Sequence, residues 1–209
     1  MINQKVEASK GRILHAARAE FAERGFDGAR VARIAQLAGV NKQLLFHYFG
    51  SKTGLYAAAV RQALGELSSA LRLEESVPSV PPSFGVRQPP SSSAPDRLRA
   101  EARRVLSVLG ERRDLVRLVL LDVLRSGGPL QETGEFLGSL AFLFSRPLSE
   151  GQGLGFFRDD VDPDLASVQI LVSILGFLGF EPALPAGGSD RREGWIEASV
   201  DLWVRGMGW

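Results

Sequence analysis

Cysteine is absent from this 209-residue chain, which excludes disulfides and thiolate metal sites and fits a reducing compartment. Histidine is almost as scarce, with only His15 and His47 present. So few imidazoles, and no thiol, leave little material for nucleophilic or acid–base catalysis, and an enzyme is not expected. Long hydrophobic runs are also lacking. The longest uncharged one, Leu165 to Phe180, is short for a membrane span and is interrupted by Ser167, Gln169 and Ser173. The stretch before Phe21 has no apolar core of signal-peptide type. These absences point to a cytoplasmic protein that does not enter the membrane, with no cofactor or metal.

One further absence is local. From Gly28 to Gly65 there is no Asp or Glu, although Arg30, Arg33, Lys42, Lys52 and Arg61 all fall there and the whole chain carries a formal charge of only +1 at pH 7. Carboxylates in that stretch would repel phosphate, so their exclusion suits a surface that approaches nucleic acid. Val31, Ile34, Ala35 and Ala38 recur at helical spacing, Gly39 suits a left-handed helix stop, and Asn41 can cap a second helix with Leu45 and Phe49 turned inward. This pattern reads as a helix-turn-helix. Its second helix turns Lys42, Gln43, Leu44, Phe46 and His47 away from the inward stripe. Gln43 can pair with an adenine edge, Lys42 with guanine or phosphate, and Leu44 with a thymine methyl. Ser51 can cap the following helix, where Lys52 would assist a phosphate clamp.

The segment from about Lys10 to Ala63, roughly a quarter of the chain, resembles the DNA-binding domain of the TetR family of transcriptional regulators. The resemblance rests on ILHAARAEFAERGFDG, IAQLAGVNKQLLFHYFGSK and LYAAAV, with Gly25-Phe26, Ala38-Gly39-Val40 and Gly50-Ser51-Lys52 at the family's punctuation points. Three departures stand out. Phe46 replaces the usual Tyr and its phosphate-binding hydroxyl; Ala29-Arg30 replace small hydroxyl residues, which weakens the cap of the second helix; and Gln43-Leu44 replace a common Gly-Thr pair. The resemblance implies a DNA-binding set of Arg30, Arg33, Asn41, Lys42, Gln43, Leu44, Phe46, His47, Tyr48 and Lys52.

Around this head the chain reads as all-α. Met1–Ala8 is expected to be a mobile arm, and Ser9–Arg24 the first helix, buried through Ile13, Ala17 and Phe21. A fourth helix is expected from Ser51 to about Glu74, and then a flexible Pro/Ser-rich insertion, Val77–Pro95. Asp96 is expected to cap a basic amphipathic helix whose Arg97, Arg99, Arg103 and Arg104 form a solvated face. Asp162 and Pro163 mark another helix start, and the closeness of Asp159, Asp160, Asp162 and Asp164 fits a solvated helix entry better than a calcium loop. The stretch from Leu165 to Phe180 is apolar all round and is expected to be fully buried. The implied domains are a helix-turn-helix head, residues 9–56, and a helical regulatory and dimerisation body, residues 57–209, carrying the insertion 77–95.

By resemblance the protein is a regulator, in the first instance a repressor. It would bind an inverted-repeat operator in double-stranded DNA as a homodimer and answer to a small, largely hydrophobic effector. Effector-lining candidates are Leu118, Leu121, Phe136, Leu140, Phe144 and Phe177. Dimer-interface candidates are Val168, Leu171, Val172, Leu175, Gly179, Ile196, Val200 and Trp203. The alternative is a helix-turn-helix protein controlled by a protein partner, or by no ligand, and the insertion is the feature that favours it.

Overall fold

Helix starts and stops in the computed structural model follow from a small number of capping residues. The structure describes residues 2–73, 93–183 and 188–208, and among these all regular structure is helical. The helices are α1 (Ile2–Gly28), α2 (Val31–Ala38), α3 (Lys42–Phe49), α4 (Lys52–Ala70), α5 (Ala94–Gly110), α6 (Arg113–Val123), α7 (Gln131–Gly153), α8 (Pro163–Phe180) and α9 (Gly188–Met207). They fall into two compact units, Met1–Ser68 with Arg112–Phe136, and Ser69–Glu111 with Leu137–Trp209. Residues 77–92 of the expected insertion lie outside the described residues.

In the first unit, α1 begins well before Ser9. Residues 2–8 contain no Gly or Pro, the Ser9 hydroxyl donates to Lys5 O at 2.9 Å, and Lys10 pairs with Glu7 at 3.1 Å, so the expected arm continues the helix. Gly25 interrupts it at φ 66°, ψ 179°, close to the expected stop, and one more turn reaches Gly28. The weak start of α2 is remedied from outside. Arg30 makes no side-chain cap, but Glu20 of α1, 1% exposed, accepts the Arg30 backbone N–H at 3.1 Å. Gly39 ends α2 at φ 64°, and Asn41 Oδ1 caps α3 by accepting Leu44 N–H at 2.7 Å. Ser51 caps α4, its hydroxyl accepting Gly54 N–H at 3.0 Å. The helix stops at Ala70, short of Glu74, as the chain turns through Arg72 in the left-handed region. Ile13, Ala17, Phe21, Ile34, Leu45 and Leu55 are fully buried, and Phe21, Phe26 and Tyr56 form an aromatic knot with centroids 5.0–6.4 Å apart.

In the second unit, Ser93 rather than Asp96 caps α5. The Ser93 hydroxyl accepts Asp96 N–H and donates to the Asp96 carboxylate at 2.6 Å, because Asp96 sits one turn in and reaches back. The α5 arginines are not simply solvated. Arg97 pairs with Glu150 of α7 at 3.0 Å, Arg99 with Asp201 of α9 at 2.7 Å, and Arg103 with Glu197 of α9. At α8 the expected start holds: Asp162 Oδ1 accepts the N–H groups of Asp164 and Leu165, and Pro163 opens the helix.

The expectation that α8 is buried on every side fails. Ile170, Leu171, Ile174 and Phe177 are buried, but Leu165, Val168, Val172 and Phe180 are 47–71% exposed, because the single chain covers only one side of the helix. By length and composition Pro163–Ala183 also meets the requirement for a membrane span, a test that the core helix of a soluble protein passes as well.

Candidate nucleic-acid interface

The turn between α2 and α3 is held by backbone and cap bonds that leave the outer face of α3 unencumbered. Val40 N–H donates to Ala35 O at 3.0 Å, and Arg12 of α1 donates to Ala38 O, so α2, the turn and α1 are tied together. Leu45 is the fully buried anchor of α3. Lys42, Gln43, Phe46 and His47 are exposed, while Leu44 and Tyr48 are half-buried. Lys42 Nζ lies 5.6 Å from the Phe46 ring centroid, which steadies a long cation over a face that carries no tyrosine hydroxyl at that position.

The other expected DNA contacts divide into those still available and those already engaged. Asn41 commits its side-chain oxygen to the α3 cap. Arg33 pairs with buried Glu20 at 2.9 Å, although its side chain is 49% exposed, while the Arg30 side chain is exposed. Lys52 donates to Asp27 O at 3.1 Å and lies 5.0 Å from the Phe26 centroid, so it is fixed at the N-terminus of α4. Lys10, inside the expected first helix and one of two lysines able to touch phosphate by sequence, stands 5.8 Å from the Tyr48 ring. Leu37 on α2 is 57% exposed. It lies off the Val31/Ile34/Ala38 stripe.

The assembled face presents cations, an amide, an imidazole and apolar groups, with no carboxylate on α2 or α3. It can approach a phosphate backbone and offer donors and methyl contacts to base edges. Among the described residues no group of three or more His, Asp or Glu could hold a metal ion. Of the acidic loop residues, Asp160 is paired with Arg158 and Asp162 is a helix cap.

The six effector candidates are divided between the units. Leu118, Leu121 and Phe136 belong to the first, and Leu140, Phe144 and Phe177 to the second. All except half-buried Leu121 are 0–8% exposed. Phe177 stacks on Trp195 at 4.4 Å, as a packing residue does. A groove of about 470 Å³ between α5 and α9 contains none of the six and is lined largely by charged groups, among them Arg103, Glu111 and Glu197, over Leu106 and Ile196. The dimer candidates also separate. Val168, Val172 and Gly179 are exposed and Leu175 and Trp203 half-buried, whereas Leu171, Ile196 and Val200 are 0–6% exposed, which takes these three off any outer face.

Residues 13–59 match the family described as bacterial regulatory proteins, tetR family. The chain is 43% identical over 68 residues to the transcriptional repressor SCO4008 of Streptomyces coelicolor, a stretch covering 32% of this chain and 35% of that protein. It is 48% identical over 62 residues to the transcriptional regulator RutR of Escherichia coli, covering 30% of this chain and 29% of that one. The matched stretch thus spans about a third of these relatives' own length. Over nearly the whole chain the fold is similar to that of the regulator FadR from Bacillus subtilis, solved with stearoyl-CoA: TM-score 0.66 at 21% identity, covering 94% of this chain and 98% of that one.

Proposed function

The chain belongs to the TetR family of transcriptional regulators, and from that premise we propose that it is a repressor binding an inverted-repeat operator as a cytoplasmic homodimer, released or engaged by a small hydrophobic effector. The observation that carries the reading is the acid-free helix-turn-helix, which leaves Lys42, Gln43, Phe46 and His47 facing outward from a capped and anchored α3. Residues 9–56 form the reading head, and residues 57–209 the body that joins the copies and holds the effector. No step of this function requires enzymatic chemistry.

Dimerisation follows from the reading task. One head touches few base pairs, and two heads on a two-fold axis add their free energies on a palindrome. Val168, Val172, Leu175 and Gly179 of α8, joined by Leu165, Phe180 and Leu202, supply the apolar face for it. The hydrophobic effector is supported by the stearoyl-CoA bound in the similarly folded FadR. The test is selection of the purified protein on a random double-stranded DNA library. An enriched inverted repeat is expected; retention that is salt-sensitive but blind to sequence would reject the operator reading.

A further inference from the structure

The acid-free α2 has one carboxylate packed behind its first turn. Glu20, on α1, is 1% exposed. Its Oε1 accepts the Arg30 N–H at 3.1 Å and lies 3.5 Å from Arg24 Nε. Its Oε2 stands 2.9 Å from Arg33 Nε as an ion pair, off the line of a hydrogen bond. Arg33, on α2, keeps 49% of its side chain exposed. Among the described residues no hydrogen bond uses its Nη groups, so their N–H donors remain open at the outer end of the guanidinium.

A carboxylate in this place carries two costs. In the interior it forfeits its hydration, which ion pairs return only in part. Close to a DNA-binding surface it also repels phosphate. The first turn of α2 demands neither, because a hydroxyl residue at position 30 would cap it from within. What a hydroxyl cannot supply is the charge that holds Arg33. Attraction between full charges at 2.9 Å in a poorly solvated site restrains a long side chain that would otherwise sample many rotamers. Held at Nε, a planar guanidinium keeps its Nη edge in one direction, and that edge can meet two phosphate oxygens together.

We propose that Glu20 is a positioning residue for DNA binding, fixing Arg33 by its Nε so that the Nη edge meets a backbone phosphate. The inference rests on the DNA-binding reading above. Glu20→Gln separates the two duties of the acid. Its amide oxygen still accepts the Arg30 N–H, while the charge that holds Arg33 is gone. The same variant separates positioning from bulk electrostatics, because the two have opposite signs. Removing an acid makes the head more positive, which alone would tighten binding and leave the salt slope no smaller. Loss of a fixed Arg33 weakens binding and lowers the slope. Glu23→Gln, at a side chain 60% exposed on the same helix, is the comparison for a neutralised acid that holds neither Arg30 nor Arg33.

The experiment measures the affinity of the full chain for duplex DNA across a salt series, beside urea midpoints that establish folding. Glu20→Gln should weaken binding roughly tenfold on every sequence alike and lower the salt slope by about one per head. Glu23→Gln should do neither. In an Arg33→Gln background, Glu20→Gln should cost nothing further, since the two residues act as one contact. Arg33→Lys, which keeps the cation and the buried acid but not the fork, should bind as weakly as Glu20→Gln, and it decides the matter where Glu20→Gln does not fold. Glu20→Gln binding as tightly as the parent, or tighter, overturns the inference. An equal loss from Glu20→Gln with and without Arg33 also overturns it, because the effect then lies in the start of α2, and so does Arg33→Lys binding like the parent. A parent that binds duplex DNA without sequence preference rejects the operator reading, while the same variants still decide the role of Glu20.

Discussion

Gln43 and Lys52 separate the two kinds of contact that a reading head makes. Gln43→Ala should cost about 1–3 kcal/mol at one base position and relax specificity there. Lys52→Ala should weaken every sequence alike and lower the salt slope by roughly one. Competition binding against single-base operator variants at several salt concentrations distinguishes them, and equal losses on every sequence would remove Gln43 as a base reader. Gly54 governs the elbow between α3 and α4. A Cβ there would stand 2.2 Å from Phe49 O, and backbone cannot give way as a side-chain tip can. Gly54→Ala should lower stability by about 1–3 kcal/mol in urea unfolding and weaken DNA binding with it. The Asn41, Ser51 and Asp162 caps are legible in the sequence because a cap lies beside the helix it serves. Glu20 is not, because it acts on Arg30 from a different helix, and local sequence carries no sign of that pairing.

Among the elements, α5 and α9 show why charge spacing needs a partner before it can be read. Arg97, Arg99, Arg103 and Arg104 look like a solvated face along one helix, whereas the acids that three of them meet lie far along the chain, on α9 (|i−j| of 102 for Arg99–Asp201) or on α7. The Arg99 hydrogen bond holds the Asp201 carboxyl below the usual aspartate range. A depressed folded value means that the pair's contribution is present above the unfolded value of about 3.9 and is lost as pH falls through the lower, folded one. Urea midpoints should therefore decline across that acid window, and Asp201→Asn should flatten the decline. A midpoint profile identical in the parent and the variant would dismiss the pair as a stabilising element. The early start of α1 escapes a pattern search for a different reason: residues 2–8 have weak amphipathicity, but nothing in them opposes a helix.

At the scale of the molecule, the all-α architecture is legible from periodicity and punctuation, and the reading head most clearly, because caps, stops and charge exclusion agree there. The proposed effector site is not, since burial alone does not distinguish a packing phenylalanine from a lining one, as the Phe177–Trp195 stack illustrates. The proposed dimer face is half legible. Uniform apolarity of α8 conceals which residues the protomer keeps for its own core and which it leaves exposed. Val172→Glu should convert the dimer to monomer in sedimentation equilibrium and abolish binding to the full inverted repeat, while leaving helical content unchanged. A dimer that survives this substitution would place the interface elsewhere.

The bond from Glu20 to the Arg30 N–H has a consequence for how the head can diversify. A side-chain cap at position 30, just before α2, would accept an N–H from the first turn and commit that position to a short hydroxyl, carboxylate or amide. Here Glu20 holds the main-chain N–H of position 30, a group that every residue but proline possesses, so this bond does not depend on which side chain stands there. A combinatorial library at residue 30 can explore long, charged or aromatic side chains at the edge of the DNA face without dismantling the scaffold. The demand falls instead on Glu20, buried in the core, where only a side chain that can accept this bond will serve.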